Sequence, residues 1–167
     1  LVFDPLDGSS NIEINGPIGT IFSILKTDKE NPTEEDFLQE GTQQVCAGYC
    51  LYGSATMMVI TICEGTHGFT LDPSIGEFIL THPDLKIPSS TKEYAINQAN
   101  RNLWEPPMKQ YIEDCDLGEA GPRKKKFTMR WVGAMVMDIH RLILRGGLFA
   151  YPMDSSLTAK GGRLRLL

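Results

Sequence analysis

Two aspartates three positions apart, Asp4 and Asp7, lie in the first thirteen residues, LVFDPLDGSSNIE. Carboxylates are ligands for Mg²⁺, and the N–H groups at the start of a helix bind phosphate. Gly8 permits a tight turn, and Ser9 or Ser10 could cap a helix that begins there. This order of residue types predicts a metal and phosphate site at the end of a strand.

The same residues also suit an ordinary turn, because Asp-Pro and Asp-Gly pairs are common in turns. The related stretch DPSIG at 72–76 lacks the second aspartate, and we interpret it as a turn only. No base that would activate Ser9 or Ser10 is evident, so we interpret both hydroxyls as donors to a phosphate. The motif alone leaves both interpretations open.

The composition is that of a globular protein with a net negative charge. The 167 residues are enough for one domain or parts of two, and 41% are hydrophobic. The net charge of −5 disfavours binding to nucleic acid or to an acidic membrane surface. No apolar run reaches the roughly 18 residues that a membrane span needs. The four cysteines match no zinc pattern, which predicts buried, reduced thiols and a cytoplasmic protein.

The first half of the chain reads as a series of strands joined by short loops, which predicts an antiparallel meander. A short helix is predicted from Thr33, because a threonine cap is followed by acids in the first turn, and it ends before Gly41. The segment 45–54 is ambiguous, since its glycines weaken a helix and its length suits either element. The predicted strands cover residues 1–3, 20–26, 56–63, 67–72 and 77–81.

Beyond residue 85 strands and helices alternate, which predicts a βαβ-like half covering 86–167 after a β-rich half covering 1–85. A helix is predicted to begin at Pro106, and a second helix is predicted to end at Gly146. His140 lies on the apolar face of the second helix, so we interpret it as a packed histidine. The predicted extended segments cover residues 94–97, 127–132 and 148–151, and the basic run 123–126 is interpreted as a solvated loop.

Several longer motifs resemble one known family. FDPLDGSSNI, AGYCLYGSATMM, LDPSIGEFIL, RWVGAMVMDIHR and GGLFAYP occur in the order and approximate spacing of the class I fructose-1,6-bisphosphatases. These enzymes belong to the wider superfamily of lithium-sensitive, Mg²⁺-dependent sugar-phosphate phosphatases. The resemblance implies their layered α/β (α+β) fold, incomplete at both ends, because the abrupt apolar termini suggest the middle of a longer chain. It implies that 1–85 is the last part of the N-terminal half and 86–167 the first part of the sugar-phosphate-binding half.

The resemblance also assigns residues to a site. The implied metal ligands are Asp4, the Leu6 carbonyl and Asp7, with Mg²⁺ as the ion and Mn²⁺ or Zn²⁺ as substitutes. The implied substrate-binding residues are Asp7, Gly8, Ser9 and Ser10 at the phosphate that leaves, and Asn97, Arg130, Trp131, Met135, Tyr151 and Arg163 at the sugar and its second phosphate. Arg130 would reach a neighbouring subunit, which implies a homo-oligomer, by resemblance a tetramer. The acids that activate water would lie outside this chain, so the isolated chain is expected to be inactive.

The implied reaction is Mg²⁺-dependent hydrolysis of a sugar bisphosphate, D-fructose 1,6-bisphosphate, to fructose 6-phosphate and phosphate. A bifunctional fructose/sedoheptulose bisphosphatase, a single-phosphate phosphatase and a non-catalytic subunit-interaction module stay as alternatives. Departures from the family pattern bear on the substrate: Trp131 stands where tyrosine is usual and Arg163 where lysine is usual. Asn100 and Glu13 also replace a tyrosine of some members and an aspartate, respectively.

Overall fold

Six sequential antiparallel strands form the first sheet in the computed structural model, which describes residues 1–62 and 64–153. Each strand pairs with the next along the chain, so the predicted meander is confirmed. The strands are β1 (Val2–Asp7), β2 (Ile18–Leu25), β3 (Gln44–Tyr52), β4 (Thr56–Thr61), β5 (Thr66–Asp72) and β6 (Glu77–His82).

The ambiguous segment 45–54 lies in β3 and its following turn. Its glycine is used for close packing: a Cβ on Gly48 would lie 2.9 Å from the Phe22 ring of β2 and 2.6 Å from the Val59 carbonyl oxygen of β4. A glycine in a strand often marks such a close approach. The strand therefore keeps its glycine for a packing reason that the local pattern does not reveal.

Short 3-10 helices lie between the strands. The predicted helix at Thr33 is confirmed as the 3-10 helix Glu34–Phe37, with a capping box between Thr33 and Asp36. Its helical stretch is one turn long, since Leu38 already leaves helical geometry. Further 3-10 helices cover Ser9–Asn11 and Gly41–Gln43 in this half of the chain.

Within the described residues, a second sheet of three parallel strands follows, in the order β8-β7-β9. Helix α1 connects β7 to β8, and helix α2 connects β8 to β9, so the predicted βαβ-like arrangement is confirmed. The prediction that 127–132 is extended was too long for the strand, which covers only Thr128–Met129. The elements are β7 (Glu93–Ile96), α1 (Pro106–Asp116), β8 (Thr128–Met129), α2 (Met135–Arg145) and β9 (Leu148–Ala150).

Helix α1 begins and helix α2 ends where local signals predict. Pro106 opens α1, where its missing N–H costs nothing. Gly146, at a φ of 71°, follows the last residue of α2 and donates its N–H to the Leu142 carbonyl at 2.8 Å. The core of this sheet contains Tyr94, Ile96, Trp104, Ile112 and Cys115, all nearly inaccessible to solvent.

The described residues form two compact units. Of the described residues, one unit contains Leu1–Lys86 together with Ala134–Met137, and the other contains Ile87–Gly133 and residues 138–153. Among the helices of the described residues, none has the length and apolar character needed to cross a membrane.

Candidate functional site

A β-bulge separates the two aspartates of the opening motif. Asp4 pairs with Ile21 and Asp7 pairs with Gly19, so three steps along β1 match two steps along β2. Directly paired residues project to the same face of a sheet, and Ile21 and Gly19 are two apart. Asp4 and Asp7 therefore share one face, whereas a regular strand would point them to opposite faces. Pro5 lies within the bulge, where a residue without an N–H is tolerated.

Hydrogen bonds hold the bulge from both sides. The Leu6 N–H donates to Asp4 Oδ1 at 3.1 Å. On β2, the Thr20 hydroxyl donates to the Pro5 carbonyl at 2.9 Å and lies 2.9 Å from the Tyr52 hydroxyl. Because Thr20 gives its proton to Pro5, the Tyr52 hydroxyl is the donor in the second bond. The chain between the two aspartates is thus fixed by its neighbours on β2 and β3.

Asp7 is buried, with 3% of its surface exposed, and receives a hydrogen bond at the start of α2. The N–H of Val136, the second residue of α2, donates to Asp7 Oδ2 at 2.8 Å. A carboxylate at a helix N-terminus is stabilised by the unpaired N–H groups and the helix dipole. Gly19 allows Val136 to lie this close to the sheet, since a Cβ at position 19 would lie 2.8 Å from Val136 Cγ2.

Gly8 forms the turn after Asp7, at φ 80° and ψ 22°, and is the N-cap of the 3-10 helix Ser9–Asn11. The prediction that Ser9 or Ser10 caps a helix was wrong, because Gly8 occupies the N-cap position and both serines lie inside the helix. Both serines are exposed. The Asn11 N–H donates to the Gly8 carbonyl at 2.8 Å, which closes the turn.

The donors of this motif fit a magnesium ion in chemical class. Two carboxylates and the Leu6 carbonyl are hard oxygen ligands, and Mg²⁺ is usually bound through one or two carboxylates plus substrate phosphates. Among residues 1–62 and 64–153, no three His, Cys, Asp or Glu side chains lie close enough together to hold a metal ion. A metal bound here would therefore need ligands beyond the two aspartates.

A second set of predicted residues follows the carboxyl ends of the parallel strands. Asn97 follows β7, Arg130 and Trp131 follow β8, and Tyr151 follows β9. The carboxyl ends of parallel strands meet at one edge of a sheet, where open α/β sheets commonly bind ligands. The Trp131 and Tyr151 rings are in edge contact, with centroids 5.5 Å apart, and both contact Phe149.

The other predicted residues of the second set lie as follows. The Asn97 side chain caps the 3-10 helix Gln98–Leu103 by accepting from the Ala99 N–H at 3.0 Å. Arg130 is exposed, and its backbone N–H donates to the Tyr94 carbonyl at 2.8 Å. Met135 is the first residue of α2 and is partly buried. Arg163 lies outside the described residues.

Asp138, which the sequence reading did not select, holds the turn between Trp131 and Met135. It is 2% exposed and lies in the first turn of α2. Its Oδ1 accepts from the Val132 N–H at 3.1 Å and its Oδ2 from the Gly133 N–H at 3.2 Å. An acid in a helical first turn is so ordinary that only the folded structure reveals the contacts.

The predicted burial is confirmed for Cys46, Cys115 and His140, whereas Cys50 is only partly buried. Cys46, Cys50 and Cys115 are free thiols, and burial raises the pKa of Cys50 and of Cys115. A raised pKa keeps these two thiols protonated and poorly nucleophilic. His140 is buried on α2, as predicted. Cys63 lies outside the described residues.

Comparison with family models covers nearly the whole chain. Residues 1–83 match the N-terminal domain of fructose-1-6-bisphosphatase, and residues 87–167 match its C-terminal domain.

Individual relatives agree with the family models. The chain is 56% identical, over its whole length, to class 1 fructose-1,6-bisphosphatases of Methylobacillus flagellatus and Hydrogenophilus thermoluteolus. It spans 50% and 47% of those two proteins, respectively. The crystal structure of Leishmania major fructose-1,6-bisphosphatase in apo form matches 98% of the chain at 44% identity with a TM-score of 0.86, over 53% of that chain. Its T-state structure matches equally well, over 51% of that chain.

Proposed function

The chain belongs to the fructose-1,6-bisphosphatase family, and from that premise we propose that it is the central part of an enzyme that hydrolyses D-fructose 1,6-bisphosphate. The products are fructose 6-phosphate and phosphate. Because the chain spans about half the length of the curated relatives it matches, the activity is proposed for the longer protein. Residues 1–85 would then be the last part of the N-terminal half and 86–167 the first part of the C-terminal half.

The observation that carries the proposal is the common face of Asp4 and Asp7, which the bulge in β1 produces. A turn needs no such arrangement, whereas a metal site needs two carboxylates that converge. We propose that both carboxylates and the Leu6 carbonyl hold Mg²⁺, with Mn²⁺ or Zn²⁺ as substitutes. Accepting from Val136 leaves Asp7 able to bind a cation, since an ionised carboxylate has about four lone-pair positions.

A bound metal ion would polarise the phosphoryl oxygens as a Lewis acid and would lower the pKa of a water molecule bound to it. The chain's own residues bind and orient the phosphate that leaves. Ser9 and Ser10 follow a left-handed Gly8 and are exposed residues, and a serine hydroxyl can donate to phosphate oxygens. The exposed side of the motif is therefore the phosphate side, and the buried Asp7 is fixed by the helix start.

The second phosphate of the substrate would bind at the carboxyl ends of the parallel strands. Asn97 uses its carbonyl oxygen in its cap and keeps an amide N–H₂ group as donor. Trp131 donates through its indole N–H where the family usually has a tyrosine. We assign the remaining contacts to Arg130, the Met135 backbone N–H, Tyr151 and Arg163. Since Arg130 would serve the site of a neighbouring subunit, we propose that the protein is a homotetramer. We also propose that it is located in the cytoplasm.

Phosphate release from fructose 1,6-bisphosphate, with and without Mg²⁺, tests the proposal in the protein expressed from the complete reading frame. Asp7→Asn should reduce the Mg²⁺-dependent kcat by at least about a hundredfold, because the charge that holds the metal is lost. The amide oxygen of asparagine still accepts from Val136, so the fold should persist. Asp72→Asn is the matched control, since Asp72 precedes a proline in an exposed turn that has no second aspartate.

Two results would contradict the proposal. A wild-type protein that releases no phosphate would favour a non-catalytic subunit module, and equal losses in the two variants would remove the role of Asp7. Sedoheptulose 1,7-bisphosphate should be compared as a second substrate, because Trp131 alters the site of the distal phosphate. Similar kcat/KM values for the two sugars would identify a bifunctional bisphosphatase.

A further inference from the structure

We propose that Asp138 is a positioning residue that sets the enzyme's preference for a substrate with a second phosphate. The proposal rests on the proposed function, because it concerns the residues assigned there to the sugar and its distal phosphate. Asp138 itself is buried beneath the turn and acts through the backbone of Val132 and Gly133.

Asp138 holds the turn through two hydrogen bonds, to Val132 and to Gly133, and we call this pair of bonds the Asp138 clamp. Each carboxylate oxygen of Asp138 accepts one of two consecutive N–H groups, at 3.1 Å from Val132 and 3.2 Å from Gly133. Hydrogen bonds to an ionised acceptor are stronger than bonds between neutral groups. Gly133 has a φ of 87°, so the turn adopts a conformation that needs this glycine. Two bonds to one rigid carboxylate define the direction of the backbone at both residues.

The clamped turn lies between the residues assigned to the substrate. Arg130 and Trp131 immediately precede it, and Met135 follows one residue after it. Trp131 is also held by stacking on Phe149, with centroids 5.7 Å apart. The ring contact fixes the side chain and the Asp138 clamp fixes the following backbone, so the two act on the same short segment. A small displacement of a substrate-binding group can remove much of its contribution to substrate binding and catalysis.

Asparagine at position 138 would remove one of the two hydrogen bonds and keep the other. It has nearly the same shape as aspartate but only one acceptor oxygen, and its NH₂ group would face a backbone donor. We expect Asp138→Asn to raise KM for fructose 1,6-bisphosphate about tenfold with kcat within about twofold, as the loss of one charge-assisted bond implies. For fructose 1-phosphate, which lacks the distal phosphate, kcat/KM should stay within about twofold of wild type.

Asp116→Asn is the matched control. Asp116, in the same compact unit, also accepts two hydrogen bonds, from the Tyr94 hydroxyl at 2.8 Å and from Arg101 at 2.7 Å. Both variants should lower the melting temperature, but only Asp138→Asn should change the ratio of kcat/KM values for bisphosphate over monophosphate. If Asp138→Asn does not fold, Val132→Pro tests the same bond from the donor side, since it deletes one N–H at an exposed side chain.

The outcomes distinguish a failure of the proposed function from a failure of the role of Asp138. If the wild-type protein is inactive on fructose 1,6-bisphosphate, the proposed function fails, and this proposal fails with it. If the wild type is active but the clamp variants change both substrates equally, or change neither, the proposed function stands and the positioning role is refuted. A selective loss for the bisphosphate supports the role of Asp138.

Discussion

Replacing Gly8 by alanine tests the close packing behind the metal motif. Gly8 has a φ of 80°, and a Cβ placed there would lie 2.6 Å from the Ala134 Cβ, much closer than two carbons can approach. The left-handed conformation costs an L-residue about 1–2 kcal/mol. Forcing a methyl group into a filled space costs about 1–3 kcal/mol more. The two effects together predict that Gly8→Ala destabilises the protein by about 2–5 kcal/mol.

Gly76→Ala separates the two costs. Gly76 has a φ of 72°, nearly that of Gly8, but no packing atom of residues 1–62 and 64–153 lies within 4 Å of the position that its Cβ would take. It should therefore show only the conformational cost of about 1–2 kcal/mol. Urea unfolding of both variants, in the protein from the complete reading frame, measures the difference. Magnesium-dependent phosphate release should fall at least about tenfold in Gly8→Ala, because the turn that presents the phosphate donors must shift.

A compensating change at Ala134 tests whether positions 8 and 134 are in direct contact. In the double variant Gly8→Ala/Ala134→Gly, the overlapping methyl group is removed, so about 1–3 kcal/mol of the loss should be recovered. Recovery in excess of the two single effects is the signature of direct contact. If Gly8→Ala unfolds at the same urea concentration as Gly76→Ala, or if the double variant recovers nothing, the two residues do not pack as described.

Two further predictions concern charged groups. Hydrogen bonding and the ion pair with Lys29 lower the pKa of Asp36 from 3.8 to about 2, so its stabilising effect is present above about pH 4 and is lost as the pH falls through 2. The difference in melting temperature between wild type and Asp36→Asn should accordingly shrink between pH 7 and pH 2; a constant difference would contradict the pairing. The two hydrogen bonds from Arg141 lower the pKa of Glu93, which is largely buried, so Glu93→Gln should cost about 1–3 kcal/mol at pH 7. That cost should fade as the pH falls from the ordinary carboxyl pKa of 4.5 through the lowered pKa of Glu93, where the wild-type carboxyl also loses its charge. Urea unfolding at pH 7 and across this acid range measures it, and a loss that does not depend on pH would contradict the ion-pair account.

Local signals predicted much of the fold. Apolar runs bounded by turn residues located β2, β4, β5, β6, β7 and β9, since strand and turn propensities act over a few residues. Pro106 and Gly146 marked helix ends because their backbone restrictions act at a single position. The turn at 73–76 is confirmed by the Gly76 N–H, which donates to the Asp72 carbonyl at 2.9 Å.

Long-range partners decided what local signals could not. The glycines of 45–54 weakened a helix and the length suited either element, and the strand was settled by pairing with β2 and β4 on both sides. The serines after Gly8 look like caps, but the left-handed backbone of Gly8 placed them inside the turn of helix. Extended backbone at 127–132 was predicted from residue type, yet a ladder forms only where β7 offers a partner.

The sequence by itself determined which residue types are available for chemistry and in what order they occur: Asp4 and Asp7, the Gly-Ser-Ser turn, and a second set of polar residues at predicted strand ends. Only the tertiary structure decided that the two aspartates share a face, because that depends on the register between β1 and β2. It also decided that Asp7 meets the start of α2, 129 positions away. Pairing register and helix packing depend on contacts far apart in sequence, and no local pattern records them.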